Sequence, residues 1–129
     1  MGSAPYLGGG FGHFYAYAPE KYEYALNRYT MEAKRQLDVL DKNLATRRNL
    51  CSDEYNIADI ATYPWYGNTV LNDSYKAREL LDMASYKHVV RWATEIEQRS
   101  AIERRRRVNK TWGLEETRVA ECHDASDFD

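Results

Sequence analysis

Tyr55-Asn56-Ile57-Ala58-Asp59-Ile60 is the stretch on which the fold turns. Asn56 suits a helix N-cap, because its side-chain oxygen can accept from a free backbone N–H in the first turn. Asp59 falls three residues on, where its carboxylate can reach back to the Asn56 N–H and complete a capping box. Asp is shorter than the usual Glu or Gln, yet it also suits the positive end of the helix dipole. Tyr55, just outside the cap, and Ile60, at the fourth helical position, are placed to close a hydrophobic staple. Box and staple together fix where one helix starts and how the chain enters it. Such boxes are common in helical proteins, so the rest of the chain must say which protein this is.

Beyond the cap, Ile57, Ala58, Ile60, Ala61, Tyr63, Trp65, Tyr66, Val70 and Leu71 place apolar residues on nearly every side. That is the pattern of a central, buried helix. Pro64 inside it removes one backbone hydrogen bond and is expected to bend it. Upstream, Pro19 sits where helix starts favour proline, with Glu20 in the first turn. From there to about Ala45, Tyr22, Leu26, Tyr29, Ala33, Leu37, Leu40 and Leu44 form one stripe at helical spacing, a run of about seven turns. A polar connection over 46–55 joins the two.

Downstream, Asn72-Asp73 breaks the pattern, and a shorter helix is expected over about 74–83. Ser85 is then a candidate cap for a helix carrying Val89, Trp92, Ala93 and Ile96, and a further short helix is expected over 101–108. From Thr111 onward no periodicity is visible. Neither strand alternation nor a dinucleotide-binding glycine pattern occurs. The expected fold class is all-α: a bundle of five or six helices with a long amphipathic first helix, spanning 20–110. A glycine-aromatic segment (1–19) precedes it and an irregular tail (111–129) follows.

A chain of 129 residues suffices for one domain with a real core. Net charge is −2, which gives no global field toward nucleic acid or an anionic membrane. Eleven of the aromatic residues are Tyr, which packs its ring while keeping a hydroxyl for a polar partner, and so suits half-wet pockets and interfaces. Cys51 and Cys122 lie far apart and in no paired motif, which favours a reducing, cytoplasmic setting over a disulfide framework. No apolar stretch approaches membrane-spanning length.

Other groups invite chemistry and lose to plainer readings. Arg104 to Arg107 follow Glu95, Glu97 and Glu103 without interleaved aromatics; Glu103 and Arg107 are placed to pair at i,i+4, so a solvated helix face is expected rather than a nucleic-acid patch. Cys122-His123-Asp124 are adjacent and cannot all face one ion, so no metal site is expected. Gly8-Gly9-Gly10 and Gly12 interrupt Tyr6, Phe11, Phe14, Tyr15 and Tyr17. These aromatics need cover, either from the bundle itself or from a partner or ligand.

The order of elements, together with Tyr86-Lys-His-Val-x-x-Trp92, resembles the C-terminal helical domain of cytosolic glutathione transferases. Tyr55–Ile60 resembles that superfamily's capping box and staple, with Asn56 where Ser or Thr is usual. Gly8-Gly-Gly-Phe-Gly-His-Phe-Tyr15, Ala18-Pro-Glu-Lys-Tyr-Glu-Tyr-Ala25, Met31–Leu40, Tyr63-Pro-Trp-Tyr-Gly67 and His123–Phe128 narrow the resemblance to the Nu class. Those are bacterial and fungal glutathione-dependent disulfide-bond reductases, and the likeness spans the chain. Ser100-Ala101-Ile102 departs from the Arg-Pro-Ala usual at that turn.

The resemblance implies glutathione as co-substrate, a homodimer, and a separate thioredoxin-like domain that binds and activates the thiol. No such domain is present in this sequence. The expectation is a helical half with little or no transferase activity alone, whether fragment, internally initiated product or truncated gene. In the Nu pattern the Arg of Glu23-Tyr24-Ala25-Leu26-Asn27-Arg28 enters the cleft and contacts glutathione. Arg28 is therefore the first glutathione-binding candidate, with Tyr24 one turn before it and His13 and Tyr17 as weaker candidates for the same wall. The plainer reading pairs Arg28 with Glu32 on a solvated helix face. The alternative function is a non-catalytic assembly module of the same fold, or an inactive truncated remnant.

Overall fold

The computed structural model describes Gly2 and residues 5–108. The chain divides into two compact units, Met1–Ile96 and Glu97–Asp129. The described part of the second is the helix Ser100–Val108. The first holds a helix over Tyr6–Tyr17, then α1 (Glu23–Leu44), α2 (Ile57–Asn72), two 3₁₀ turns at Ser74–Lys76 and Met83–Ser85, and α3 (Lys87–Glu97). No strand occurs among the described residues. The tail from Thr111, Cys122, His123, Asp124 and the Arg107 side chain lie outside them.

The glycine-aromatic segment is itself helical, wound with i→i+5 hydrogen bonding, a winding that is rare over more than a turn. Its glycines are where rings from the bundle arrive. A Cβ on Gly10 would run into the Tyr29 ring, and one on Gly12 would lie 2.6 Å from the ring of Tyr75. Phe11 is fully buried and stacks on Tyr15, while Phe14 stacks on Tyr29 of α1 with ring centroids 5.4 Å apart. Most of the cover these aromatics need comes from the bundle.

Proline ends this helix instead of starting the next. Ala18, with ψ of 129°, is in the extended conformation that a following proline imposes, and Pro19 and Glu20 lie in a bend. α1 begins later than the sequence suggests, with Tyr22 as an N-cap that makes no side-chain cap bond. Its buried line is Thr30, Ala33, Leu37 and Leu44; of the predicted stripe Leu26, Tyr29 and Leu40 are half-buried, Tyr22 is exposed, and Thr30 was not in it.

The capping box forms as expected. Asn56 Oδ1 accepts from the Ala58 N–H at 2.9 Å and from the backbone at the third position, and Asp59 Oδ2 accepts from the Asn56 N–H at 3.0 Å. Asp59 also does more than cap. Fully buried, it takes the Leu50 N–H at 3.0 Å and the Trp92 indole N–H at 2.8 Å on its other oxygen. α2 runs through Pro64 and buries Tyr63, Tyr66, Thr69 and Val70. It is not buried all round, however: Ile57 is 81% exposed, and Ile60 and Trp65 are also open to solvent. Apolar character on every side of a helix does not guarantee a neighbour on every side.

Between α2 and α3 the expected single helix is replaced by the two 3₁₀ turns. Asp73, Tyr75, Lys76 and Asp82 all adopt positive φ, which a continuous right-handed helix cannot contain. Arg78 donates to the Val70 and Leu71 carbonyls, satisfying the open end of α2. Ser85 does not cap α3, since its hydroxyl donates to the Asp82 carbonyl. The cap comes from α1: Asp41 Oδ1 accepts from the His88 and Val89 N–H groups at 2.8 and 3.0 Å. Sequence reading looks for caps nearby, and this one is 47 residues away.

Asp59→Ala would strand the buried Trp92 N–H and two half-buried backbone donors, and a loss of about 3–5 kcal/mol is expected in urea unfolding. Asn56→Ala should cost about 1 kcal/mol, and Ile60→Ala less. Equal losses for all three would show that Asp59 is only a cap. The exposed Ile57 and Ile60 at the start of α2 should make the isolated chain self-associate and bind a hydrophobic dye, both relieved by Ile57→Glu. A clean monomer in light scattering, dark to the dye, would contradict this.

Candidate functional site

On the solvent side of α1, Arg28, Glu32, Arg35 and Gln36 follow one another at spacings of four, three and one. Residues three or four apart share a helix face, so these side chains compete for the same partners. Glu32 is only 13% exposed, and Arg35 grips it at two points, Nε at 2.9 Å and Nη2 at 2.6 Å. Gln36 Nε2 adds a third bond at 2.9 Å. Arg28 is left at 3.9 Å, beyond hydrogen-bond reach, with its side chain 60% exposed. The expected Arg28–Glu32 pair is therefore the loosest contact Glu32 makes.

These bonds hold the Glu32 carboxyl well below the usual carboxylate range, down to about 2, with Arg35 the largest cause and Gln36 the next. Gln36 is in turn fixed from α2, where the half-buried end of Tyr66 donates its hydroxyl to Gln36 Oε1 at 2.6 Å.

Arg28, Glu32, Arg35 and Gln36 line a cavity of about 310 Å³ with Tyr6 and Gly2. A second, largely apolar cavity of about 260 Å³ shares Arg35 and Gln36 and continues along Val39, Leu40, Asn43 and Tyr66. The two form a groove with a cationic end and an apolar floor, suited to a ligand that carries a carboxylate.

The other candidates stand apart from this lining. Tyr24 is 85% exposed, on the same side of α1 one turn before Arg28. Tyr17 is partly exposed with its ring edge-on to Tyr75, and His13 is exposed with its ring edge-on to Phe14. Sequence reading missed Tyr6, Arg35, Gln36 and Tyr66. The spacing of Arg35 and Gln36 from Arg28 was available as a signal; nothing in the sequence joined Tyr6 or Tyr66 to them. Cys51 is an exposed free thiol. Among the described residues no cluster of three or more metal-ligating side chains occurs, and no helix is long and apolar enough to cross a membrane.

Residues 23–95, from the start of α1 almost to the end of α3, match the glutathione S-transferase C-terminal domain. The chain belongs to that family. Over all 129 residues it is 60% identical to the disulfide-bond oxidoreductase YghU of Escherichia coli K12 and covers 45% of that protein. It is similar in structure to a glutathione transferase YghU from Streptococcus pneumoniae solved with glutathione, at 52% identity and a TM-score of 0.74, over 80% of this chain and 40% of that one. A Pseudomonas putida glutathione transferase, solved with one glutathione disulfide bound per subunit, aligns at 37% identity and a TM-score of 0.70, over 81% of this chain and 45% of that one. The chain spans less than half the length of each of these relatives. The matched residues include the long first helix on which Arg28 stands and the capped α2.

The depressed Glu32 carboxyl stabilises the folded state fully above its ordinary value of 4.5, and that contribution is lost as pH falls toward about 2. The urea-stability gap between the wild type and Glu32→Gln should therefore be constant near neutrality and narrow steadily below pH 4.5. A gap that does not change with pH would mean that Glu32 contributes by packing and not by charge.

Proposed function

We propose that this chain is the co-substrate side of a glutathione-dependent disulfide reductase or transferase that acts as a homodimer in the reducing cytoplasm. Arg28 is the residue that holds an anionic end of glutathione or of glutathione disulfide. One observation carries this: Glu32 is taken up by Arg35 and Gln36, so the Arg28 guanidinium lines the cavity with only a loose 3.9 Å ion pair to Glu32 among the described residues. A guanidinium stays charged at any working pH and matches a carboxylate bidentately. The high identity to a disulfide-bond oxidoreductase, and the glutathione or glutathione disulfide in similar structures, support the same ligand.

In this reading the chain performs positioning and no bond making. Arg28 fixes glutathione by its carboxylate, and the apolar floor beyond Gln36 receives the less polar part of the disulfide. A glutathione thiolate, activated outside these residues, attacks one sulfur and expels the other as a thiolate. A second glutathione then resolves the mixed disulfide, giving glutathione disulfide and two thiols from the substrate. Tyr24, Tyr17 and His13 are assigned to the outer wall, where their exposure leaves them available to a bound ligand. The isolated chain is expected to show little or no transferase turnover.

Calorimetry of glutathione against the purified chain tests the assignment. Binding in the millimolar range is expected, weakened about tenfold or more in Arg28→Ala, as befits one charge-assisted contact. Equal heats for both proteins would remove Arg28 from the site. No heat from the wild type at ten-millimolar ligand would reduce the chain to a structural element.

A further inference from the structure

The cavity beside Arg28 contains an anion of its own. Glu32 lies between Arg28 and Arg35, and all three side chains line the same cavity. Its carboxylate takes Arg35 at two points, 2.9 and 2.6 Å, the fork geometry in which a guanidinium would hold the carboxylate of a ligand. Gln36 adds its bond at 2.9 Å and is tied by Tyr66 on α2 at 2.6 Å, so the carboxylate is anchored on the side away from Arg28. Two arginines facing one cavity would suit a dianion. With Glu32 present, one of them is already occupied.

We propose that Glu32 is a specificity-determining residue: an internal competitor that occupies Arg35 and leaves Arg28 as the guanidinium available to donate to a ligand, so the cavity takes one carboxylate and disfavours a second anionic group. This rests on the reading of Arg28 as the anchor for glutathione, but the charge capacity it describes applies to any oxyanion. Glu32 competes well because it is covalently held beside Arg35 at high effective concentration. With its carboxyl held down to about 2, it remains charged across the physiological range and the competition does not relax. An ordinary surface ion pair makes the opposite forecast, since its loss would change stability slightly and ligand binding not at all.

Inorganic phosphate is the probe, titrated into the chain at low ionic strength and followed by the amide shifts of residues 28–36. Glu32→Gln should bind it about tenfold more tightly than the wild type, because a second guanidinium becomes available. The gain should vanish in Glu32→Gln/Arg35→Ala. Glu32→Ala, which removes the residual amide acceptor, should bind at least as tightly as Glu32→Gln. Unchanged or weaker phosphate binding in a natively folded Glu32→Gln overturns the proposal, as does a gain that survives the loss of Arg35. Glutathione binding that ignores Arg28→Ala would instead defeat the assigned ligand and leave the phosphate result standing.

Discussion

Asp59 is one carboxylate with three partners from three parts of the chain. It closes the start of α2 through the Asn56 N–H, holds the α1–α2 connection through the Leu50 N–H, and reaches α3 through the Trp92 indole. A fully buried carboxylate is tolerable only when its lone pairs are occupied, so each partner is needed by the others. The packing around it follows from that requirement: Trp92 is wholly buried, Tyr63 meets it edge-on, and Val89, Ala93 and Ile96 of α3 are brought into the core. A helix cap in this fold is thus also the point where α2, the α1–α2 connection and α3 are fixed together.

The other contacts between elements repeat this device with the signs changed. Asp41 of α1 caps α3. Arg91 of α3 returns the favour by donating to the Leu44, Arg47 and Arg48 carbonyls at the end of α1, and it braces itself on Glu95. Arg78 does the same for α2. Helix ends leave donors and acceptors that must be met, and here they are largely met by charged side chains from other elements. On the outer face of α1, Gln36 is tied to α2 through Tyr66 and Glu32 is engaged by its neighbours, while Arg28 stands open.

Local rules failed where a tertiary contact or a backbone conformation took precedence. Pro19 ends a helix because its effect on Ala18 outweighed its suitability as a first helical residue. The stretch 74–83 has acceptable helix formers, yet Tyr75, Lys76 and Asp82 at positive φ divide it, with Asp73 just before it. Gly8 to Gly12 were expected only to interrupt a set of aromatics, but Gly10 and Gly12 mark where Tyr29 and Tyr75 press on the backbone of a helix. Composition shows that side chains are missing there; only the fold shows what occupies the space.

By itself the sequence determined the all-α class, the long stripe of α1, the capping box at Asn56 and Asp59, and the α3 face of Val89, Trp92, Ala93 and Ile96. All of these depend on periodicity or on partners within four residues, and such relations are written in the chain order. Arg28 was legible as a candidate through the family pattern, and Glu32 through its spacing. The tertiary structure decided that Tyr66 and Tyr6 join the site, that Asp41 caps α3, and which side of α2 stays bare. Those outcomes bring together residues far apart in the chain, while the closer hold of Arg35 and Gln36 on Glu32, all within four residues, depends on distances that spacing alone does not encode.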